Sequence, residues 1–258
     1  MKILVIGATG LLGSAILKEN KSKKISIKGT SREKKKNLIN LDLTNTSQAR
    51  EVLKKFDPDV IVNCCALTNV DECNKSYKSA ILHNSTTVKK IVNLAISLKK
   101  RPHIIHISTD QVYNNQNIIK KNFENNVRTS NYYSKSKYLG EKKLCNYKKK
   151  TILRTNFFGK SQSSKKKSFS DYLIYNIKKN KKIKLPYNIY FSPIIINELV
   201  KIIYKMAVLK IYGTYNLGSS SGICKYDFGI LITKLFKYNS KLIIPFNSDI
   251  KKLKRPCG

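Results

Sequence analysis

Short apolar runs alternate with longer, partly polar stretches over the first 155 residues of the chain. The apolar runs predict strands at 2–7, 25–29, 38–41, 60–65 and 103–107, and a sixth strand that begins at Ile152. The stretches between them predict helices at 11–19, 47–55, 79–98 and 133–147. Strands that alternate with helices are typical of a parallel sheet with crossover helices, so we predict an α/β fold with a doubly wound parallel sheet of the Rossmann type.

The last hundred residues follow a less regular pattern. Residues 167–179 and 196–210 have helical periodicity, and the segment GTYNLGSS (213–220) predicts a strand and a turn. We therefore expect a smaller, mixed α/β region after the parallel sheet.

The composition is that of a globular protein, because 41% of the residues are hydrophobic. No stretch approaches the roughly 20 apolar residues needed to cross a bilayer. The apolar start breaks at Gly7 and lacks the basic segment and cleavage site of a signal peptide. We therefore expect a cytoplasmic protein with no membrane partner. The six cysteines form no CxxC pair, and we predict no metal site.

The charge is strongly basic, with 51 Lys and Arg against 15 Asp and Glu and a formal net charge of +36. A nucleic-acid binder is one explanation. However, the lysines are spread over the whole chain, and few of the basic residues are Arg, which is the better reader of phosphate. We therefore favour solvated faces and expect no specific nucleic-acid partner, although the charge should speed the encounter with anionic ligands.

A glycine-rich loop follows the first predicted strand and opens the first helix. Glycine is needed where the backbone turns, where it approaches a pyrophosphate, and where the helix packs on the strand. The helix N-terminus supplies free N–H groups for the phosphates. The loop therefore predicts a dinucleotide site, with contacts from Gly7, Thr9, Gly10, Leu11, Leu12 and Gly13.

The end of the second strand indicates which dinucleotide binds. An acidic residue there would accept hydrogen bonds from the ribose 2′-hydroxyl and repel a 2′-phosphate. The segment from Lys28 to Arg32 contains no acid, and Ser31 and Arg32 could hold the phosphate instead. This favours NADPH as the cofactor, with NADH as the alternative.

A second constellation combines Tyr133 and Lys137 with Thr109. The tyrosine and the lysine are four residues apart and share one helix face. A nearby ammonium group favours the phenolate, so we expect Lys137 to lower the pKa of Tyr133. Thr109 lies in Ser108-Thr109-Asp110 after the fifth strand, at the sheet edge where α/β folds bind ligands.

Together these motifs resemble the extended short-chain dehydrogenase/reductase family, and within it the group of dTDP-4-dehydrorhamnose reductases. The resemblance covers nearly the whole chain. It is carried by GATGLLG, LDLTN, PDVIVNCCALTNVDEC, HISTDQVY, NYYSKSKYLGE, ILRTNFFG, the Ser192-Pro193 loop, GTYNLG and a KRP segment near the end.

The resemblance implies roles for residues beyond the glycine loop. It implies an NAD(P)-binding domain at 1–155 and a mainly substrate-binding region at 156–258, with some elements returning to the sheet. Contacts with the cofactor are implied for Asp42, Leu43, Cys64, Cys65, Ala66, Tyr133 and Lys137. Contacts with the substrate are implied for Thr68, Val70, Thr109, Asp110 and Phe157.

The reaction implied is hydride transfer from NADPH to the 4-keto group of a nucleotide-linked deoxysugar, used for surface polysaccharide. Tyr133 would donate the proton, Thr109 would bind the same oxygen, and Lys137 would anchor the cofactor ribose. Two departures from the group are Gln111, where an aromatic residue is usual, and Ser134, where glycine is usual. The chain also ends at Gly258, so a shortened substrate region is expected; the sequence leaves the oligomeric state open, with a homodimer as one alternative.

Three alternatives remain open from the sequence. An epimerase or dehydratase of the same fold would hold its NAD tightly, and a dehydratase would need a second acid near Asp110. A regulatory relative would bind nucleotide without catalysis. A nucleic-acid binder would rest on the net charge alone.

Overall fold

The computed structural model describes residues 1–19, 24–113, 127–161 and 168–249. The strands are β1 (Lys2–Ile6), β2 (Ser26–Ser31), β3 (Leu38–Asn40), β4 (Val60–Asn63), β5 (His103–Ile107), β6 (Lys150–Phe158), β7 (Ile183–Pro186), β8 (Tyr190–Phe191), β9 (Pro193–Ile195), β10 (Gly213–Leu217), β11 (Ile223–Cys224) and β12 (Ile243–Phe246). The helices are α1 (Leu11–Lys18), α2 (Thr46–Phe56), α3 (Val70–Lys75), α4 (Tyr77–Ile81), α5 (Thr87–Ile96), α6 (Tyr132–Lys143), α7 (Phe169–Lys178), α8 (Ile196–Leu209) and α9 (Lys225–Leu235).

The main sheet has the strand order β10-β6-β5-β4-β1-β2-β3, and β9 pairs with the end of β6. Every one of these pairings is parallel. The chain runs outward from β1 to β3 and then returns to β4 on the other side of β1. The order therefore reverses between β1 and β4, which is where open α/β sheets bind ligands. The predicted fold class is confirmed.

Both faces of the sheet are buried because successive side chains of each central strand point to opposite sides. Ile3 and Val5 pack with α1 and α8 in one core cluster. Leu4 and Ile6 pack with α2 and α5 in the cluster on the opposite face. A third cluster lies apart from the sheet, between α7, α9 and β7, and is built around Phe228.

The long helix predicted at 79–98 is interrupted in the structure. A π-helical turn at Leu82–Thr86 separates α4 from α5. Within this turn the buried Asn84 turns its side chain to the loop after β4: its Oδ1 accepts from the Leu67 N–H at 2.8 Å, and its Nδ2 donates to the Leu67 carbonyl at 3.0 Å. Periodicity could not indicate this contact, because it depends on a residue far along the chain.

Several elements have no counterpart in the prediction. In the first half this is α3, and in the second half they are α9 and the short strands β7, β8, β9, β11 and β12. β10, by contrast, lies in the predicted 213–220 segment and joins the main sheet beside β6. The KRP segment near the end of the sequence lies outside the described residues. In the described part of the chain, no helix has both the length and the apolar character to cross a membrane.

Helix α6 approaches the π-helical turn closely at Gly140. A Cβ atom on this residue would lie 2.3 Å from the carbonyl oxygen of Asn84. We expect Gly140→Ala to lower the free energy of unfolding by about 1–3 kcal/mol, because the helix must move away from the turn. Urea denaturation measures this change.

The matched control is Gly222→Ala, since the nearest atoms to a Cβ there are 3.8 Å away. We expect this change to stay within about 0.5 kcal/mol of the parent protein. Equal effects from the two substitutions would contradict the close packing of α6 on the turn.

Candidate functional site

Three cavities follow one another along the carboxyl edge of the main sheet. The glycine-loop cavity, of about 320 Å³, is lined among others by Gly7, Thr9, Gly10, Ser31, Arg32, Asp42, Leu43, Cys64, Cys65 and Ala66. The tyrosine cavity, of about 400 Å³, is lined among others by Gly10, Leu11, Leu12, Cys64, Ala66, Thr68, Thr109, Gln111, Tyr133, Lys137, Asn156, Phe157 and Phe169. The aromatic cavity, of about 310 Å³, is lined among others by Val70, Asp110, Gln111, Asn156, Phe169, Tyr190, Phe191 and Lys225.

Neighbouring cavities share lining residues, so the three form one continuous groove. Gly10, Cys64 and Ala66 line both the glycine-loop and the tyrosine cavity. Gln111 and Phe169 line both the tyrosine and the aromatic cavity. The groove therefore has one cavity at each end and the tyrosine cavity in the middle.

The glycine loop forms a tight turn between β1 and α1. Gly7 has a φ of 83°, and the Gly10 N–H donates to the Gly7 carbonyl at 3.0 Å. Gly10 is the N-cap of α1 and has no side chain to occupy the helix N-terminus. The first turn of the helix thus leaves its N–H groups available to a phosphate.

Gly13 is the predicted loop residue that lines none of the three cavities. A Cβ there would lie 2.4 Å from the Gly7 carbonyl oxygen, so the residue allows α1 to pack against the loop. Its place in the motif is explained by packing between the helix and the strand end.

The glycine-loop cavity brings together residues at the ends of β2 and β3. Ser31 ends β2 and Arg32 follows it, and Asp42 and Leu43 come shortly after β3. The Thr44 N–H donates to the Asp42 carboxylate at 2.8 Å and lowers its pKa, and the Arg32 guanidinium adds to this effect. Asp42 therefore stays ionised, while Arg32 offers a cation to the same cavity.

The residues directly after β4 lie where the glycine-loop cavity meets the tyrosine cavity. Burial raises the pKa of the Cys64 thiol to about 12, so it stays neutral at pH 7. The Cys65 N–H donates to the Asn63 side chain at 3.1 Å, and the Leu67 backbone is held by Asn84. At this junction the Cys64 thiol is therefore uncharged, and the backbone is held by side-chain hydrogen bonds.

Helix α6 carries Tyr133 and Lys137 into the tyrosine cavity. It begins after Asn131, whose side chain accepts from the Ser134 N–H at 2.8 Å, while the Ser134 hydroxyl accepts from the Asn131 N–H at 3.3 Å. The serine that replaces a usual glycine therefore completes a reciprocal cap for this helix. Tyr133 and Lys137 are only 8% and 2% exposed.

The prediction that Lys137 lowers the pKa of Tyr133 is wrong. Burial raises the pKa of Tyr133, and a hydrogen bond with the Thr109 side chain opposes this only in part. Lys137 instead donates from Nζ to the Ile107 carbonyl at 2.6 Å. The phenol therefore keeps its proton at neutral pH, which suits a proton donor better than a base.

Lys137 itself is perturbed by burial, which lowers its pKa to about 8. The charge of Glu141, one turn further along α6, opposes this shift. Its ammonium group is therefore charged at pH 7 but loses its proton in a range where an exposed lysine does not.

The substrate-side predictions divide between two cavities. Thr68, Thr109 and Phe157 line the tyrosine cavity, whereas Val70 and Asp110 line the aromatic cavity. Burial raises the pKa of Asp110, although hydrogen bonds and the charge of Lys225 oppose the shift.

The aromatic cavity contains residues that the sequence did not indicate. Lys225 at the start of α9 places its Nζ 3.4 Å from the ring centre of Phe191 and 4.6 Å from that of Phe169. Tyr190 and Asn156 complete this wall. In a sequence this rich in lysine, no pattern singles out Lys225 as a site residue. The fold brings it close to Asp110. Within the described residues, no cluster of His, Cys, Asp and Glu is arranged to hold a metal ion.

Comparison with known proteins shows the family to which the chain belongs. The chain matches the RmlD substrate binding domain family over residues 1–257. It is 26% identical to the spore coat polysaccharide biosynthesis protein SpsK of Bacillus subtilis, with 90% of this chain and 78% of that protein covered.

Solved structures give the same result. A dTDP-4-dehydrorhamnose reductase from Clostridium acetobutylicum is 27% identical, with a TM-score of 0.85 and 99% of this chain and 86% of that chain covered. One from Bacillus anthracis, solved in complex with NADP, is 24% identical, with a TM-score of 0.86 and 96% and 84% covered. The family predicted from the motifs is confirmed, and the chain belongs to the RmlD substrate binding domain family within the extended short-chain dehydrogenases/reductases.

Proposed function

We propose that the protein is an NADPH-dependent reductase that acts on the 4-keto group of a nucleotide-linked deoxysugar. The observation that carries this proposal is the position of Thr109, Tyr133 and Lys137 in the middle cavity of a continuous groove. The glycine-loop cavity lies at one end of the groove, and the aromatic cavity lies at the other.

The glycine-loop cavity fits a dinucleotide. The N-terminus of α1 and the side-chain-free Gly10 suit the pyrophosphate, and Asp42 and Leu43 suit the adenine end. Arg32 and Ser31 supply a cation and a hydroxyl for a 2′-phosphate, which favours NADPH over NADH. The NADP in the Bacillus anthracis enzyme agrees with this choice.

The aromatic cavity suits the nucleotide part of the substrate. Tyr190 offers an aromatic ring to a base, and Lys225 offers a charge to a diphosphate. In this arrangement the sugar lies in the tyrosine cavity, between Thr68, Thr109 and Phe157. We keep the division into a cofactor-binding region at 1–155 and a mainly substrate-binding region at 156–258 as part of the proposal.

The chemistry follows from the state of each side chain. The reduced nicotinamide, when bound, supplies the hydride that converts the ketone carbon to a secondary alcohol carbon. Tyr133 donates its phenolic proton to the carbonyl oxygen, and the Thr109 hydroxyl hydrogen-bonds the same oxygen. Lys137 holds the cofactor ribose through its ammonium group. The product is supplied to polysaccharide synthesis in this proposal, as the name of the Bacillus subtilis relative suggests.

The first test concerns the proton donor. With NADPH and dTDP-4-dehydro-6-deoxy-L-mannose, we expect Tyr133→Phe to lower kcat by about 10²-fold or more, because the carbonyl oxygen loses its proton source. The loss of reduced-nicotinamide absorbance measures the rate.

The matched control is Tyr132→Phe on the neighbouring residue, which is 44% exposed and packs against the ring of Tyr77. This variant should retain the parent rate. Undiminished turnover by Tyr133→Phe would remove the residue from the mechanism. A parent protein that binds NADPH but oxidises none would instead favour a noncatalytic nucleotide-binding role.

The second test concerns the choice of cofactor. We expect Arg32→Ala to raise the KM for NADPH about tenfold and to leave the KM for NADH nearly unchanged, since a charge-assisted hydrogen bond is worth about 1.5–3 kcal/mol. Steady-state rates with each cofactor measure the ratio.

Arg50→Ala on α2 is the control, because Arg50 is exposed and lines none of the three cavities. It removes the same charge at a different place. Equal changes from Arg32→Ala and Arg50→Ala would mean that net charge, and not a 2′-phosphate contact, sets the affinity.

A further inference from the structure

A buried ion pair lies directly behind the tyrosine cavity. Arg154 on β6 places its Nη2 2.7 Å from Oε2 of Glu141 on α6, and both side chains are 4% exposed. The Arg154 Nε lies 3.2 Å from each of the two carboxylate oxygens. Removing two charges from water is costly, and a buried pair is weak evidence for stability. The contacts that the pair makes with the site therefore say more about its role than its contribution to stability does.

Glu141 connects the two segments that carry the proposed catalytic groups. It lies four residues, one helical turn, after Lys137 on α6. The Ser108 hydroxyl donates a short hydrogen bond to Glu141 Oε1, and Ser108 directly precedes Thr109. One carboxylate thus ties the helix of Tyr133 to the segment of Thr109.

Arg154 extends the connection to the far side of the same segment. Its Nη1 donates to the Tyr113 phenol at 2.6 Å, and that phenol donates to Asn216 Oδ1 on β10 at 2.8 Å. Tyr113 follows the 3₁₀ turn Asp110–Val112. The segment from Ser108 to Tyr113 is therefore held at both ends by the ion pair.

We infer that Glu141 and Arg154 are positioning residues: Glu141 supports the charged form of the Lys137 side chain, Arg154 limits that support, and the pair together fixes the Ser108–Tyr113 segment beside the lysine. The inference rests on the proposed function, because it assigns the Lys137 ammonium to the cofactor ribose. Neither side chain lines the groove, so both act through other residues.

The charges around Lys137 support this inference. The groups that face it are Glu141 from its own helix, the thiols of Cys64 and Cys65 after β4, and the His106 imidazole on β5. Burial raises the pKa of Cys64 to about 12 and lowers that of His106, so both are uncharged at pH 7. The Glu141 carboxylate is therefore the group that opposes the burial of the ammonium, and Arg154 limits its effect.

Substitution of each member of the pair should consequently shift the pKa of Lys137, and the two shifts should have opposite directions. The affinity for NADPH should fall as pH rises through about 8, where the ammonium loses its proton. Glu141→Gln removes the anion and leaves the Arg154 cation, so this fall should begin about one pH unit lower. Arg154→Met leaves the anion uncompensated, so the fall should begin about one pH unit higher.

The experiment is calorimetric titration of each full-length variant with NADPH at a series of pH values on both sides of pH 8. Arg154→Lys keeps the charge and should titrate like the parent protein. The double variant Glu141→Gln/Arg154→Met removes both charges and should also return close to it. If Glu141→Gln does not fold, the comparison of Arg154→Met with Arg154→Lys still tests the sign.

Equal loss of affinity at every pH, with no movement of the pH dependence, would overturn the inference and leave the pair a structural role. A shift of the pH dependence in the same direction for both single variants would also overturn the inference. The proposed function is judged separately by turnover with the keto sugar. A parent protein without turnover contradicts that function, whereas the calorimetry reports on Lys137 whether or not turnover occurs.

Discussion

The site depends on the burial of ionisable groups at the carboxyl edge of a parallel sheet. Burial disfavours the charged form of any side chain, so it acts on Tyr133 and Lys137 in opposite senses: it raises the pKa of the phenol and lowers that of the ammonium. The phenol is thereby kept protonated. The lysine, by contrast, stays charged only while other groups support it, which makes its neighbours as important as its own position.

The sheet supplies that support because its strands bring distant residues to one edge. β5 ends at the carbonyl of Ile107, which accepts from Lys137, and β6 passes beside it and carries Arg154. The register of β5 against β6 fixes the distance between these groups. β6 is buried along most of its length. It can place Arg154 in the interior because Glu141 forms an ion pair with the arginine there.

Much of the fold, and the residues that line the candidate site, could be predicted from the sequence. The buried strands have unbroken apolar runs, and the glycine loop and the Tyr133–Lys137 spacing are local motifs. The interruption at Asn84 and the wall around Lys225 could not be predicted, since they depend on contacts between residues distant in the sequence. The same holds for the pKa of Tyr133, because the four-residue spacing does not show that the lysine Nζ is directed to a backbone carbonyl.

The large positive charge of the chain acts differently from the charges in the groove. The net charge of +36 attracts anionic ligands from a distance, but the interaction of exposed charges is largely screened beyond about 8 Å at physiological ionic strength. It can therefore raise the rate of encounter without selecting a cofactor or a sugar. In the proposed function, the choice of cofactor and sugar depends on the few charged groups of the groove, such as Arg32, Asp42 and Lys225, whose positions are fixed by the ends of strands and helices.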